Sequence, residues 1–330
     1  MTKPTVAVLI PNPMRQRILS PAAEADLASF AEVVSGHKPD ELLALLSGAE
    51  ACLTGWGTPP LTDDLLQQLP NLKLVAHTAG SVRSLVPLSA LERGLKVSHA
   101  AAIIADSVAE LVIGQTIRWL RHLDAIDAAM KRGEGWGEIR DQFPGRLLGE
   151  RTVGIVGSGY VGRKVIRLFT LFGSTVLVSD PYLTPEKAAE LGVEKVELDD
   201  LFARSEIVSL HAPALPETDG IVNAERLRLF RDGGLLINFA RGNQVVEEAL
   251  LAELQSGRLF AALDVFKTEP LPLDSAFRSA PNVYLSPHIA GQTNDAYLRQ
   301  GQAMVDEVRR LLNGDALQFQ VTPAMFATMA

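Results

Sequence analysis

The sequence of 330 residues contains one cysteine, Cys52, and no long run of apolar residues. One cysteine cannot form an internal disulfide bond, so the sequence gives no indication of an oxidising compartment. Cys52 lies in an apolar, strand-like run, which favours a small buried side chain over a nucleophile. No run is long enough to cross a membrane, and the short apolar stretch 6–10 is more typical of a first strand than of a signal peptide. We therefore expect no membrane partner.

Basic residues are outnumbered, with 31 Lys and Arg against 39 Asp and Glu and a formal net charge of −8. Because no long basic run is present, a nucleic-acid-binding surface is disfavoured, and the composition fits a cytoplasmic enzyme. No cluster of cysteine, histidine and acidic residues has the spacing of a metal site, so we expect no metal. The chain is long enough for two domains.

Strand-like and helix-like segments alternate over the first hundred residues. Strands that alternate with helices are typical of βαβ units, so this pattern predicts a parallel sheet. The predicted strands cover residues 6–10, 51–54, 72–77 and 95–98, and the predicted helices cover residues 24–33, 40–46 and 63–69.

One long helix is predicted next, over residues 106–131, followed by a glycine-rich connecting loop over residues 133–151. A second alternating series then has the six-strand count of a dinucleotide-binding domain. The last predicted helix, residues 294–312, has no place in that series, so we expect it to return to the first domain. The six strands are predicted over residues 152–156, 175–179, 207–210, 235–238, 259–263 and 283–285.

The strongest local pattern is a glycine-rich turn, residues 157–162, between a predicted buried strand and an amphipathic helix. In this G-x-G-x-x-G pattern the glycines allow a tight turn, close approach of a pyrophosphate and close packing of helix on strand. The following helix N-terminus attracts the anion. The next strand ends in Asp180, within about 20 residues of the glycines. A carboxylate there accepts hydrogen bonds from the adenosine ribose and repels a 2′-phosphate, which predicts NAD in preference to NADP.

Three further predicted strands end close to residues with useful chemistry: Arg241, Asp264 with Glu269 nearby, and His288. The carboxyl ends of strands form the ligand-binding edge of open α/β sheets. Oxidation of an α-hydroxy acid requires a cation for the carboxylate, an acid/base for the hydroxyl proton and a carboxylate that orients this base. Taken singly, each residue also fits an ordinary solvated or loop side chain.

Together these motifs resemble the NAD-dependent D-2-hydroxyacid dehydrogenases, which include glyoxylate/hydroxypyruvate reductases, D-lactate dehydrogenases, phosphoglycerate dehydrogenases and formate dehydrogenases. The resemblance covers nearly the whole chain. It rests on the following segments in order: SVAELVIG (107–114), GIVGSGYVG (154–162), Asp180, LHAP (210–213), INFARG (237–242), LDVF…EP (263–270) and SPHIAG (286–291).

The resemblance implies an α/β fold with two parallel-sheet domains and a homodimer built through the nucleotide domains. A Rossmann NAD-binding domain is expected over residues 101–291. A discontinuous, flavodoxin-like substrate domain is expected over residues 1–100 and 292–330.

The resemblance also implies roles for individual residues. Arg241 is expected as the substrate clamp, His288 as the acid/base and Glu269 as its partner. The substrate is expected to contact Arg241 and His288 and the backbone of a loop formed by Ala79, Gly80, Ser81 and Val82. Asp264 is expected to contact the nicotinamide amide, and the full set of implied cofactor-binding residues is Gly157, Ser158, Gly159, Tyr160, Val161, Gly162, Asp180, Pro181, His211, Ala212, Pro213, Ala240, Asp264 and Gly291.

The expected activity is reduction of a small 2-keto acid by NADH, of the glyoxylate or hydroxypyruvate type. The alternatives are a phosphoglycerate dehydrogenase-like enzyme, in which a cation such as Arg83 would meet a phosphate, and a non-catalytic dinucleotide-sensing protein. Arg83 stands where many relatives carry an acid, and a solvated surface arginine is its other interpretation. Trp136 either enters a partner subunit's active site or packs at a domain junction.

Overall fold

The computed structural model describes residues 3–329. The chain divides into two compact units: unit 1 is Met1–Ala105 with Gly291–Ala330, and unit 2 is Asp106–Ala290. The sequence placed the divisions at 100/101 and 291/292, whereas the units divide at 105/106 and 290/291. None of the helices in the described part of the chain has the length and apolar character needed to cross a bilayer.

Unit 1 contains a five-stranded parallel sheet of order β2-β1-β3-β4-β5. Its strands are β1 (Thr5–Val8), β2 (Glu32–Ser35), β3 (Ala49–Thr54), β4 (Leu74–His77) and β5 (Lys96–His99). Its helices are α1 (Met14–Ile18), α2 (Pro21–Phe30), α3 (Leu42–Leu46), α4 (Asp63–Gln67), α5 (Leu88–Glu92), the first residues of α6 (Ala101–Leu120), α14 (Asn294–Asn313) and α15 (Pro323–Thr328).

Unit 2 contains a seven-stranded parallel sheet of order β12-β11-β10-β9-β6-β7-β8. Its strands are β6 (Thr152–Val156), β7 (Thr175–Ser179), β8 (Glu194–Lys195), β9 (Ile207–Leu210), β10 (Leu235–Asn238), β11 (Phe260–Leu263) and β12 (Val283–Leu285). Its helices, besides most of α6, are α7 (Leu123–Lys131), α8 (Trp136–Gln142), α9 (Tyr160–Leu171), α10 (Pro185–Leu191), α11 (Leu198–Arg204), α12 (Ala224–Leu229) and α13 (Glu247–Gln255).

The strand order of unit 2 reverses between β6 and β9, which is the topological switch point of a doubly wound sheet. Both faces of such a sheet are covered, and accordingly β9 and β10 are buried along their whole length. The predicted α/β fold with two parallel sheets is confirmed, and the second sheet is of the Rossmann type.

Five details of the predicted secondary structure are wrong, including strand β2, which was not predicted and whose first residues were assigned to a helix. The helix predicted over residues 24–33 is α2, which ends at Phe30 because the chain becomes extended at Ala31 and enters β2. The helix predicted over residues 106–131 begins at Ala101 and is divided into α6 and α7 by His122, whose φ of 50° is left-handed. The glycine-rich loop contains α8. Strand β8 was missed because its two residues are charged and exposed.

A buried carboxylate, Glu307, ties three parts of unit 1 together. Glu307 lies in α14 with 0% exposure. It accepts hydrogen bonds from Ser98 Oγ at 2.6 Å, Arg310 Nη1 at 2.7 Å and the backbone amides of Gln318 and Phe319 at 2.9 and 3.0 Å. A buried charge is tolerated only when it is paired and hydrogen-bonded. These four donors meet that requirement and fix the chain after α14 against β5.

The carboxyl ends of β4 and β5 carry two buried histidines, His77 and His99. His77, 5% exposed, forms a hydrogen bond with Thr54 Oγ1 at 3.0 Å, and His99 Nδ1 lies 2.7 Å from the carbonyl oxygen of Gly80. Burial, with a smaller contribution from His99, lowers the pKa of His77 to about 4. Both histidines therefore pack within unit 1.

This depressed pKa predicts a loss of stability in acid. In the unfolded chain a histidine binds its proton near pH ~6.5, whereas in the folded protein His77 does so near pH 4. Its contribution to the free energy of unfolding is therefore complete above pH ~6.5 and is lost as the pH falls towards 4, by on the order of 3 kcal/mol. Urea titrations between pH 7 and pH 4 should show a shallower fall for His77→Gln than for the wild type. The exposed His37→Gln should retain the wild-type slope, and equal slopes for all three proteins would contradict the assignment to His77.

Candidate active site

The glycine-rich turn follows β6 at the switch point of unit 2. Gly157 has a φ of +92°, and a Cβ there would lie 2.8 Å from the backbone nitrogen of Ala212. A Cβ at Gly162 would lie 2.1 Å from the carbonyl oxygen of Gly157, whereas a Cβ at Gly159 would meet nothing within 4 Å. The first and last glycines thus permit close backbone packing, and the middle glycine faces open space. The turn leads into the N-terminus of α9, whose first amides have no acceptor within the helix. This arrangement fits a pyrophosphate.

Asp180 lies just beyond β7 and is bonded to this turn. Its Oδ2 accepts hydrogen bonds from the backbone amide and the hydroxyl of Ser158, each at 2.6 Å. Its Oδ1 accepts from the Tyr182 amide at 2.8 Å. Pro181 begins the turn that follows. A negative charge is thereby fixed beside the glycine-rich turn, where a dinucleotide places its adenosine ribose.

The cofactor-side loop, residues 211–213, follows β9. Ala212 is buried and its backbone packs against Gly157. His211 is bonded through Nε2 to Ser209 Oγ at 2.8 Å. Desolvation of its imidazole lowers the pKa of His211 to about 3, although part of the residue reaches the surface. His211 is therefore neutral near pH 7 and supplies no positive charge to a bound phosphate.

His288 and Glu269 form a direct pair. The Nδ1 atom of His288 lies 2.7 Å from Glu269 Oε2, and Glu269 Oε1 accepts a hydrogen bond from the Phe266 amide at 3.0 Å. His288 has a φ of 54°, in the left-handed region. The carboxylate fixes the orientation of the imidazole. The pair can therefore act as an oriented acid/base.

Arg241 follows β10 and is half-buried. Its Nη1 donates to the carbonyl oxygen of Ala240 at 2.7 Å. Burial lowers the pKa of Arg241, and the nearby Glu269 opposes that shift. The structure therefore brings Arg241, Glu269 and His288 together at the carboxyl edge of the unit 2 sheet.

Asp264 fixes the segment that carries His288. The residue is 1% exposed, and its carboxylate accepts hydrogen bonds from Ser286 Oγ at 2.5 Å and from the amides of Ile289 and Ala290 at 2.9 and 2.8 Å. Its carbonyl oxygen accepts from the His288 amide at 2.8 Å. The structure thus gives Asp264 a positioning role that the sequence did not indicate.

Asn238 is a further residue that sequence reasoning missed. Its Nδ2 donates to the carbonyl oxygen of Arg241 at 2.9 Å, and its Oδ1 accepts from the Ala240 amide at 3.1 Å. The asparagine is 1% exposed. An amide that ends an otherwise apolar strand was the signal that could have identified it.

The predicted substrate loop, residues 79–82, lies in unit 1 and follows β4. Ala79 and Val82 are buried, and Gly80 and Ser81 are half-buried. Within residues 3–329, the amides of Gly80, Ser81 and Val82 donate to no protein acceptor. Backbone amides without a protein acceptor are available to bind an anion. Gly291, predicted to contact the cofactor, begins the second segment of unit 1.

Arg83 and Trp136 lie on exposed surfaces of their own units. Arg83 Nη1 donates to the carbonyl oxygen of Met329 at 3.2 Å. Trp136 begins α8 and is 70% exposed, an unusual position for so large an apolar ring. Among residues 3–329, no group of three or more His, Cys, Asp or Glu side chains is arranged to hold a metal ion.

The chain is similar in sequence and in structure to known proteins. Residues 113–290 match the family model described as D-isomer specific 2-hydroxyacid dehydrogenase, NAD binding domain. The chain is 34% identical to a hydroxypyruvate reductase from Thermotoga maritima over 282 residues, which cover 84% of this chain and 90% of that relative. A phosphoglycerate oxidoreductase structure from Rhizobium etli superimposes with a TM-score of 0.83 at 27% identity, over 96% of this chain and 97% of that one.

A longer relative is similar as well. The D-3-phosphoglycerate dehydrogenase of Mycobacterium bovis is 35% identical over 300 residues, which cover 90% of this chain. The matched region covers only 56% of that relative, so this chain spans little more than half of its length.

The carboxylate of Asp180 predicts discrimination between the two nicotinamide dinucleotides. A 2′-phosphate beside this carboxylate is a like-charge contact, which can cost several kcal/mol. We therefore expect NADH to bind at least about 100-fold more tightly than NADPH, as measured by fluorescence titration. Asp180→Ser should lower the ratio of the NADPH Kd to the NADH Kd. Asp141→Ser, an exposed change on α8, should leave that ratio unchanged. Equal affinities of the wild type for NADH and NADPH would disprove this role of Asp180.

Proposed function

The chain belongs to the D-isomer specific 2-hydroxyacid dehydrogenase family, and on that basis we propose that it interconverts a small 2-keto acid and its D-2-hydroxy acid. NAD is the cofactor, since the chain contains the family's NAD binding domain. The observation that carries the proposal is the 2.7 Å contact between His288 and Glu269 on the sheet edge that also presents Arg241. This grouping supplies a proton donor, its orienting carboxylate and a cation.

Each of the three residues has a defined task in this proposal. NADH, when bound, supplies the hydride for the keto carbon. Arg241 binds the substrate carboxylate and polarises the carbonyl, because a guanidinium keeps its charge and binds carboxylates through two donors. Protonated His288 donates a proton to the carbonyl oxygen, and neutral His288 accepts it in the reverse direction. Glu269 holds Nδ1, which directs the proton transfer to Nε2.

The backbone of residues 79–82 binds the substrate carboxylate in the same proposal. Support comes from the amides of Gly80, Ser81 and Val82, which have no protein acceptor among the described residues. Cofactor contacts are assigned to the residues that line the glycine-rich turn, Asp180 and the ends of β9 to β12, as the sequence predicts: Gly157, Ser158, Gly159, Tyr160, Val161, Gly162, Asp180, Pro181, His211, Ala212, Pro213, Ala240, Asp264 and Gly291.

A short keto acid such as glyoxylate or hydroxypyruvate is the proposed substrate. The hydroxypyruvate reductase of Thermotoga maritima supports this choice, because the match extends over 90% of that protein. A phosphoglycerate dehydrogenase-like activity is the second candidate, and the relative from Mycobacterium bovis favours it. The contact of Arg83 with Met329 leaves other guanidinium nitrogens for a phosphate in that case.

We further propose a cytoplasmic homodimer. A lone buried cysteine suits a reducing compartment. Unit 2 exposes apolar side chains along α7, α8 and the following loop, and exposed apolar surface of this kind marks interfaces. These side chains are Leu123, Met130, Trp136 and Leu147.

A substrate panel tests the proposed activity. NADH consumption should be fastest, by kcat/KM, with glyoxylate or hydroxypyruvate and slower with 3-phosphohydroxypyruvate. A preference for the phosphorylated acid that Arg83→Ala abolishes would establish the second candidate instead. If NADH binds but no keto acid is reduced, the protein is a non-catalytic dinucleotide sensor and the proposal fails.

Substitution of the acid/base pair tests the mechanism. His288→Gln should lower kcat by about 10²–10⁴-fold, the usual contribution of a general acid, while NADH affinity stays unchanged. Glu269→Gln keeps the shape and removes the charge that pairs with His288 Nδ1, so kcat should fall in this variant as well. Near-normal turnover of both variants would show that His288 is only a loop residue.

A further inference from the structure

We propose that Gln244 is a positioning residue that sets the cofactor-side loop and couples it to the turn that carries Arg241. Gln244 ends the short 3₁₀ turn Gly242–Gln244, directly after Arg241, and is 0% exposed. The expected effect of Gln244 on turnover rests on the proposed function. The expected effect of Gln244 on NADH binding does not.

The side chain of Gln244 is bonded to the cofactor-side loop through two carbonyl groups. Its Nε2 donates to the carbonyl oxygen of Ala212 at 2.7 Å and to that of Pro213 at 3.1 Å. The Pro213 oxygen also accepts from Thr218 Oγ1 at 2.6 Å. Among the described residues, Gln244 thus supplies the hydrogen-bond donor to the buried Ala212 carbonyl.

The backbone of Ala212 packs directly against the glycine-rich turn. The space that a Cβ of Gly157 would occupy is filled by the backbone nitrogen and Cα of Ala212, at 2.8 and 2.9 Å. Gly162 packs directly on the carbonyl oxygen of Gly157. A displacement of Ala212 would therefore shift the turn that presents its amides to the pyrophosphate.

The same 3₁₀ turn also contacts the segments that carry the proposed catalytic residues. The Gln244 amide donates to the carbonyl oxygen of Arg241 at 3.3 Å. Gly242 packs so closely on residue 266 that a Cβ there would lie 2.0 Å from the carbonyl carbon of Phe266. The Phe266 amide is the donor that holds Glu269. Gln244 therefore lies where the cofactor-side loop, Arg241 and the segment leading to Glu269 meet.

Packing alone does not explain a glutamine at this position. Its Oε1 is buried and has no hydrogen-bond partner among the described residues. A buried acceptor without a donor costs stability, so Oε1 does not explain why a glutamine stands here. The benefit of glutamine lies in the two hydrogen bonds donated by Nε2.

The test uses Gln244→Met, which keeps the length of the side chain and removes both polar atoms. Because Gln244→Met leaves the buried Ala212 carbonyl without its donor, thermal stability should fall whichever role is correct. A purely structural role predicts unchanged NADH binding by the folded variant. Positioning predicts that the folded variant has an NADH Kd raised roughly tenfold, the factor that corresponds to about one hydrogen bond. The kcat for keto-acid reduction should fall as well, because Arg241 lies on the same turn.

Gln300→Met is the matched control. Gln300 lies in α14 of unit 1 with 0% exposure, and neither of its amide atoms has a hydrogen-bond partner among the described residues. This substitution should leave the NADH Kd unchanged. If Gln244→Met and Gln300→Met both bind NADH within twofold of the wild type, the positioning role is disproved. If the wild type binds NADH but reduces no keto acid, the proposed function fails and the comparison of Kd values still decides the role of Gln244.

A second variant covers the case in which Gln244→Met does not fold. Gln244→Glu keeps the shape, and its carboxyl group can donate to the Ala212 carbonyl only when protonated. NADH should bind this variant more tightly as the pH is lowered, with no such trend in the wild type. A pH-independent Kd equal to that of the wild type would overturn the proposal.

Discussion

The buried carboxylate of Asp264 is the interaction on which the candidate active site depends. Removing a charge from water is costly unless it is fully hydrogen-bonded, and a hydroxyl and two backbone amides supply those bonds here. All three donors belong to the segment 286–290. The requirement to satisfy one charge therefore fixes five consecutive residues, including the left-handed backbone of His288. The 2.7 Å contact of His288 with Glu269 follows from this placement.

The parallel sheet explains why residues far apart in sequence meet. Strands β6, β9, β10, β11 and β12 all run in the same direction, so their carboxyl ends lie along one edge. The glycine-rich turn, the cofactor-side loop, Arg241, Asp264 and His288 each follow one of these ends. Side-chain amides then lock neighbouring loops to each other: Asn238 holds the turn of Arg241, and Gln244 holds Ala212.

Patterns of apolar residues predicted most of the strands and both parallel sheets, because buried parallel strands consist of short apolar runs. The glycine-rich turn and the strand-end positions of Arg241 and His288 could also be predicted, since turn chemistry and strand ends are local properties. Other features depend on tertiary contacts and could not be predicted from the sequence. The break at His122 has no glycine or proline to mark it, and β8 has no apolar residue. The bonds made by Gln244 and Asn238 join segments that nothing in the sequence pairs.

The division of unit 1 into two sequence segments has a consequence for synthesis on the ribosome. The core of its sheet combines residues such as Val6 and Leu53 with Tyr297, Met304 and Val308 of α14. The ribosome must translate all of residues 106–290 before it reaches α14. At about 5–20 residues per second, these residues alone take on the order of 10 to 40 s. Throughout that interval the first segment of unit 1 has an uncovered apolar face, whereas unit 2 is continuous and can fold as soon as it emerges. Unit 1 can therefore complete its core only after all of unit 2 has been synthesised.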